Sequence, residues 1–255
     1  MHVNQQFSDD RFRLKPIPLL IMIAMGIGIP ILGAALANLA SECLHTQVRG
    51  PTGYTLSWIY IQHSMQLLLS LLTILIFKKW LVPADYGLHW PKRKSYFLPA
   101  VLWGIFFGVL MTVVDFAPQL LAHNKPDLGY PLTASNVTGW LFFEWVFVGP
   151  TEEVPFRALL VTYLIATMPG KFRVGRFEMS WAGLLIAVIF ALLHATNFAT
   201  RPWPQALGQQ VYAFALGVLY AYWQEKSQSV MAPCIGHNVS DGLEFAIEYV
   251  WVGFL

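Results

Sequence analysis

The sequence predicts an all-α fold: a polytopic bundle of about seven to eight transmembrane helices, the fourth broken near its middle around a polar intramembrane cavity. Three observations predict it. Of 255 residues, 56% are hydrophobic and 12% charged, against about one-quarter charged in a typical soluble chain. The apolar residues gather in blocks of about 20, the length a helix needs to cross about 30 Å of hydrocarbon at 1.5 Å per residue. The basic residues concentrate on alternate loops, as the positive-inside rule requires.

The blocks run Ile17 to Ala40, Leu56 to Phe77, Phe97 to Leu121, Val137 to Met168, Trp181 to Ala199, Gln205 to Trp223 and Ser229 to Trp251. The first ends in Ala-Leu-Ala-Asn-Leu-Ala, which resembles a signal-peptidase site. Its apolar stretch exceeds a usual signal h-region, so an uncleaved helix is expected. The fourth block is too long for one straight span, and Gly149-Pro150 followed by Pro155 interrupts it. A broken helix at membrane depth needs protein or a water-filled cavity to satisfy the freed backbone groups. The stretch Ala122 to Asn136 has the composition of an exposed connection. No long polar linker divides the blocks, so residues 1–255 are expected to form one integral membrane domain.

Arg11, Arg13 and Lys15 precede the first block; Lys78, Lys79, Lys92, Arg93 and Lys94 follow the second; Lys171, Arg173 and Arg176 follow the fourth; Lys226 follows the sixth. Twelve of the sixteen cations thus share one side, against Arg49, Lys125 and Arg201 on the other, with Arg157 inside the fourth block. This predicts a cytoplasmic N-terminus and an outside C-terminus. Topology explains the basic residues, and with a net charge of +2 nothing argues for nucleic acid. Cys43 and Cys234 form no CxxC pair and no disulfide framework.

Within lipid the informative residues are ionisable, because each costs about 2.5 to 3.5 kcal/mol or more at the centre of a helix. They cluster late in the chain: Glu144, Glu152, Glu153 and Arg157 in the fourth block, His194 in the fifth, and His237, Asp241, Glu244 and Glu248 in the seventh. Glu153 and Arg157, four apart, share a face if the helix is regular after Pro155, so they can pair. Glu152 is turned about 100° away and left without that partner. Desolvation suits such a carboxylate to take a proton near neutral pH, while the dipole of a helix starting at the proline break opposes it.

Depth gives a second constraint. Glu152 lies about 24 Å from the cytoplasmic end of its span and His194 about 20 Å from the end of the next, so the two share a level. His237 is shallower, about 12 Å along its helix. His237 and Asp241 are four apart and can hydrogen-bond, fixing the imidazole tautomer. Glu244 and Glu248 continue that face and are expected at a solvated helix end. Glu144, eight residues before Glu152, extends the polar face or lines the cavity. His63 and Asp115 in the earlier spans are expected to be packing or interfacial residues.

Glu152-Glu153-x-x-x-Arg157, then Phe190-x-x-x-His194, then His237-x-x-x-Asp241, in that order on three late spans, resembles the CPBP family of intramembrane glutamic endopeptidases. That family includes the CAAX prenyl proteases and bacterial relatives linked to bacteriocin processing and immunity. The resemblance covers about Val137 to Leu255, and Phe156 before Arg157 fits the first motif. It implies an intramembrane protease in which Glu152 activates water, Glu153 and Arg157 support it, and His194 assists the water or the oxyanion. Phe190 completes the second motif as a supporting residue. His237 and Asp241 fall where the family stabilises the oxyanion. The family often has Asn at the last place; an ionised Asp241 cannot donate to an oxyanion and would instead orient His237.

The implied substrate is a membrane-associated protein or peptide: a prenylated C-terminus in a eukaryotic host, another membrane-bound chain in a bacterial inner membrane. No cofactor is implied. Two other readings use the same residues. Two histidines and a carboxylate are a catalytic zinc set, although no H-E-x-x-H occurs. A transporter or non-enzymatic immunity protein would use the buried charges as a proton or substrate path, although no internal repeat is evident. Reporter fusions after Lys79 and after Lys125 are expected to report opposite sides of the membrane; the same side for both would overturn the topology.

Overall fold

The computed structural model describes residues 13–46 and 54–254; Arg11 and Arg49 lie outside the described residues. The protein is an all-α bundle of membrane type. Helix α1 is Pro16–Cys43, α2 Leu56–Trp80 and α3 Phe97–Asp115. Helix α4 is a continuous helical rod over 134–167, α5 is Trp181–Leu193 with a 3₁₀ extension His194–Ala199, α6 is Trp203–Ser227 and α7 is Met231–Phe254. All seven apolar blocks of the sequence therefore become helices. Among the described residues, α1, α2, α3 and α5 with its extension are long and apolar enough to cross a membrane on length and composition. Of the other three, α4 and α7 hold most of the clustered ionisable residues, and α6 carries Gln205, Gln209, Gln210 and Gln224.

Local sequence sets the helix ends. Thr55, Thr133 and Ser180 accept the backbone N–H of Trp58, Asn136 and Gly183 and so cap α2, α4 and α5. Lys78 and Lys79 sit in the last turn of α2, where the helix dipole favours cations. Large apolar side chains remain exposed along the outer helices, among them Ile31, Leu75, Leu98 and Phe106, a surface matched to hydrocarbon rather than water. The third block ends sooner than its composition indicates: α3 stops at Asp115 and a short helix, Ala117–Leu121, continues after Phe116.

One element has no counterpart in the sequence reading. Strands β1, Lys171–Val174, and β2, Phe177–Ser180, pair antiparallel around Gly175, whose φ of 60° suits a residue without Cβ. Glu178 in this hairpin accepts from Arg173 and from Lys171 at 3.2 Å, and the Arg173 guanidinium first, then Lys171, hold its carboxyl at about 2.

The site is positioned by α7, which packs along α3 and α4. A Cβ on Gly104 would stand 2.9 Å from the Gly236 carbonyl oxygen, and one on Gly108 would stand 2.8 Å from that of Ser240. This small-xxx-small pair lets the α3 and α7 backbones meet. A Cβ on Gly149 would lie 2.6 Å from the Cys234 carbonyl oxygen, so α4 and α7 also touch.

The interruption expected at the prolines takes the form of two wide π-helical stretches, Phe143–Phe147 and Val154–Val161, within an unbroken rod. Each proline lacks an N–H and leaves a carbonyl four residues back without its helical donor. Pro150 frees the Val146 carbonyl, which accepts from Asn238 Nδ2 at 3.3 Å, and Asn238 Oδ1 accepts the Gly149 N–H at 2.7 Å. Pro155 frees the Thr151 carbonyl, which accepts from Gln66 Nε2 at 2.9 Å. One amide from α7 and one from α2 thus replace the missing backbone bonds. Asn238→Leu and Gln66→Leu are expected to cost about 1 to 3 kcal/mol each by leaving buried groups unpaired. Pro150→Ala and Pro155→Ala, respectively, should recover part of each loss in thermal unfolding of the solubilised protein. Absence of any recovery would show that the amides do not serve the proline gaps.

Candidate active site

The π-helical stretch after Pro155 carries Arg157, which together with Glu153 is wholly buried. The pairing indicated by their spacing forms despite the wide turn: Arg157 Nη1 donates to Glu153 Oε1 at 3.0 Å. Arg157 Nε and Nη2 and Glu153 Oε2 make no hydrogen bond among the described residues. The guanidinium instead lies 4.3 Å from the Phe190 ring centroid and 5.3 Å from that of Tyr220, so cation–π attraction supplies what donors do not.

Glu153 takes a second partner that sequence spacing does not indicate. Its Oε1 also accepts from His237 Nδ1 at 2.7 Å. The imidazole is therefore held on Nδ1 by α4, while Nε2 faces Asp241 Oδ2 at 3.2 Å and Glu152 Oε2 at 3.8 Å. The spacing-based pairing of His237 with Asp241 is present as an ion-pair contact. Asp241 Oδ1 accepts from Ser240, and Tyr220 stacks on the His237 ring at 5.5 Å between centroids.

Glu152 and Glu153 are neighbours with opposite environments. The Glu152 side chain retains 22% exposure and Glu153 none. Glu152 faces a cavity of about 710 Å³ that is also lined by His194, His237, Asp241 and Glu144. His194 Nδ1 bonds to the Phe190 carbonyl oxygen at 3.0 Å. A carbonyl only accepts, so Nδ1 carries the hydrogen and the neutral ring leaves Nε2 as an acceptor. Phe190 thus serves three groups: its carbonyl orients His194, its ring covers Arg157, and that ring packs near both histidines, at 5.4 Å and 6.1 Å.

The structure corrects several expectations about the surrounding residues. Glu244 and Glu248 are not a solvated helix end; each is 8% exposed and lines the same cavity, because α7 turns that face inward against α4. His63 and Asp115 also line it. His63 Nδ1 bonds Thr151 Oγ1 at 2.9 Å. Asp115 binds Arg201 Nη1 at 2.6 Å and accepts from Tyr212, so Arg201 is tied to the end of α3 across 86 residues. Asn238 and Gln66 were not singled out by the sequence, although a polar amide inside an apolar span is the signal that marks them. Cys43 and Cys234 are free. Among the described residues no three His, Cys, Asp or Glu side chains group as metal ligands.

Residues 134–243 match the family described as type II CAAX prenyl endopeptidase, Rce1-like. This segment is similar to the CAAX protease family. The family is one of peptidases that act on membrane-associated proteins. The Rce1-like segment spans α4 to the middle of α7 and contains Glu152, Glu153, Arg157, Phe190, His194, His237 and Asp241, whereas Glu244 and Glu248 follow it. No curated protein and no solved structure matches this chain.

Removing Glu153 alone is expected to destabilise strongly. Glu153→Leu leaves Arg157 as an unpaired buried charge, a loss of roughly 3 to 5 kcal/mol, and Glu153→Leu with Arg157→Met should regain most of it. Thermal unfolding of the two variants is the check. A double variant no more stable than the single would mean that the pair is not what Glu153 supplies.

Proposed function

We propose that the protein is an intramembrane endopeptidase that hydrolyses a membrane-associated protein through a water activated by Glu152. The observation that carries this reading is the pair of adjacent glutamates. Glu153 is locked to Arg157 and His237, while Glu152 is left facing a polar cavity, 3.8 Å from His237 Nε2. The similarity of residues 134–243 to the CAAX protease family supports it.

In this reading Glu152 takes a proton from water as the oxygen attacks the scissile carbonyl. His194, with Nε2 as an acceptor, holds the second hydrogen of that water. His237 sits where the carbonyl oxygen gains charge, with Nδ1 anchored on Glu153 so that Nε2 keeps its direction. Asp241 orients Nε2, the part expected of an acceptor. Asn238 cannot substitute as an oxyanion donor, since its amide is engaged with Val146 and Gly149. The proton on Glu152 then passes to the leaving amine. The N-terminus lies in the cytoplasm, on the strength of the loop cations. The substrate is prenylated in a eukaryotic host; in a bacterial inner membrane it is another membrane-anchored chain.

Glu152→Gln keeps shape and removes the base. Cleavage of a membrane-anchored peptide by the folded variant is expected to fall by at least about 10²-fold, with His194→Ala similarly impaired and both inserted normally. Chelator should leave the wild type active. Full activity of Glu152→Gln would remove the glutamate mechanism, and activity abolished by chelator and restored by Zn²⁺ would replace it with a zinc one.

A further inference from the structure

Beyond the hydrolytic centre, the cavity carries more carboxylate than the reaction uses. Among its described lining residues are seven acidic side chains and one arginine, Arg201, itself bound to Asp115. Glu244 and Glu248 continue the His237–Asp241 face of α7 toward its C-terminal end. Glu144 meets that face from α4 and is an independent observation: it is 6% exposed, makes no hydrogen bond or ion pair among the described residues, and lines the same cavity. A buried carboxylate without a partner is costly and favours a cation arriving from outside.

The walls beside these three glutamates are aromatic. Tyr130 stacks on Trp140 at 5.7 Å and Trp140 on Phe245 at 5.7 Å, and all three line the cavity. An acidic end with aromatic walls fits a long cationic side chain, whose methylenes lie on the rings while its head reaches the carboxylates. A bare ion would leave most of such a volume unfilled, and no metal-type grouping exists among the described residues.

We propose that Glu144, Glu244 and Glu248 form a specificity subsite for a lysine or arginine of the substrate. Glu244 and Glu248 lie seven and eleven residues beyond His237, about 10 and 16 Å along the helix. Extended peptide covers about 3.4 Å per residue, which places the basic residue about three to five positions from the scissile bond. The proposal rests on the reading of Glu152 and His237 as the hydrolytic centre for this distance only. Binding of the cation itself does not depend on it.

The test uses the full-length Glu152→Gln protein in lipid nanodiscs and a set of membrane-anchored peptides in which one residue, lysine, norleucine or glutamate, is walked through each position. At the matching position lysine is expected to bind about tenfold or more tightly than norleucine, with glutamate the weakest. Glu144→Gln alone, and Glu244→Gln with Glu248→Gln, should each shrink that preference while norleucine binding stays unchanged. Equal binding of lysine and norleucine peptides at every position would overturn the subsite, as would a preference that survives both variants. Cleavage by the protein with Glu152 intact is scored separately. No cleavage together with a lysine preference would remove the hydrolytic reading and leave the subsite standing, whereas cleavage without that preference would do the reverse.

Discussion

Glu153 Oε1 accepts from Arg157 on its own helix and from His237 on α7, and much of the site depends on that shared oxygen. Two buried groups with positive or partly positive character converge on one carboxylate, so the rotation of α7 about its axis is set by α4. The Arg157 guanidinium in turn packs on Phe190 of α5 and Tyr220 of α6. One ion pair therefore ties four helices together. Its strength in a medium without water comes less from Coulomb attraction, which desolvation offsets, than from the penalty for separating its members.

That network needs an irregular α4. Two prolines five residues apart, Pro150 and Pro155, would disrupt an isolated helix, yet here the gaps are filled by the side-chain amides of Asn238 and Gln66. Between the two wide turns lie two adjacent glutamates with different surroundings, Glu153 fully buried and Glu152 open to the cavity. A regular amphipathic helix also separates neighbours by about 100°, but it offers no backbone groups to bind α2 and α7. The irregularity and the amides that cap it are thus a joint that fixes depth as well as rotation.

Small residues complete the alignment. Gly104 and Gly108 bring α3 against α7, and Gly149 brings α4 against the same helix, so the ionisable face of α7 is turned inward along its length rather than only at His237. The cavity inherits the whole stripe from His237 to Glu248. The same packing that aims the histidine also carries two further carboxylates inside.

The sequence by itself determined the class and singled out most residues of the candidate site. Apolar blocks of span length became helices because hydrocarbon leaves backbone groups no partners but their own, and the cost of burying charge made Glu152, Glu153, Arg157, His194, His237 and Asp241 stand out against an apolar background. The i, i+4 spacing was enough for Glu153 and Arg157, because a pair on one helix is a local property. Only the tertiary structure decided that Glu153 also anchors His237, that Asn238 and Gln66 repair the proline gaps, and that Glu244 and Glu248 face a cavity rather than solvent. Each of these is a contact between helices or a choice of helix face, set by how Gly104, Gly108 and Gly149 let the backbones approach, and no spacing along a single helix encodes it.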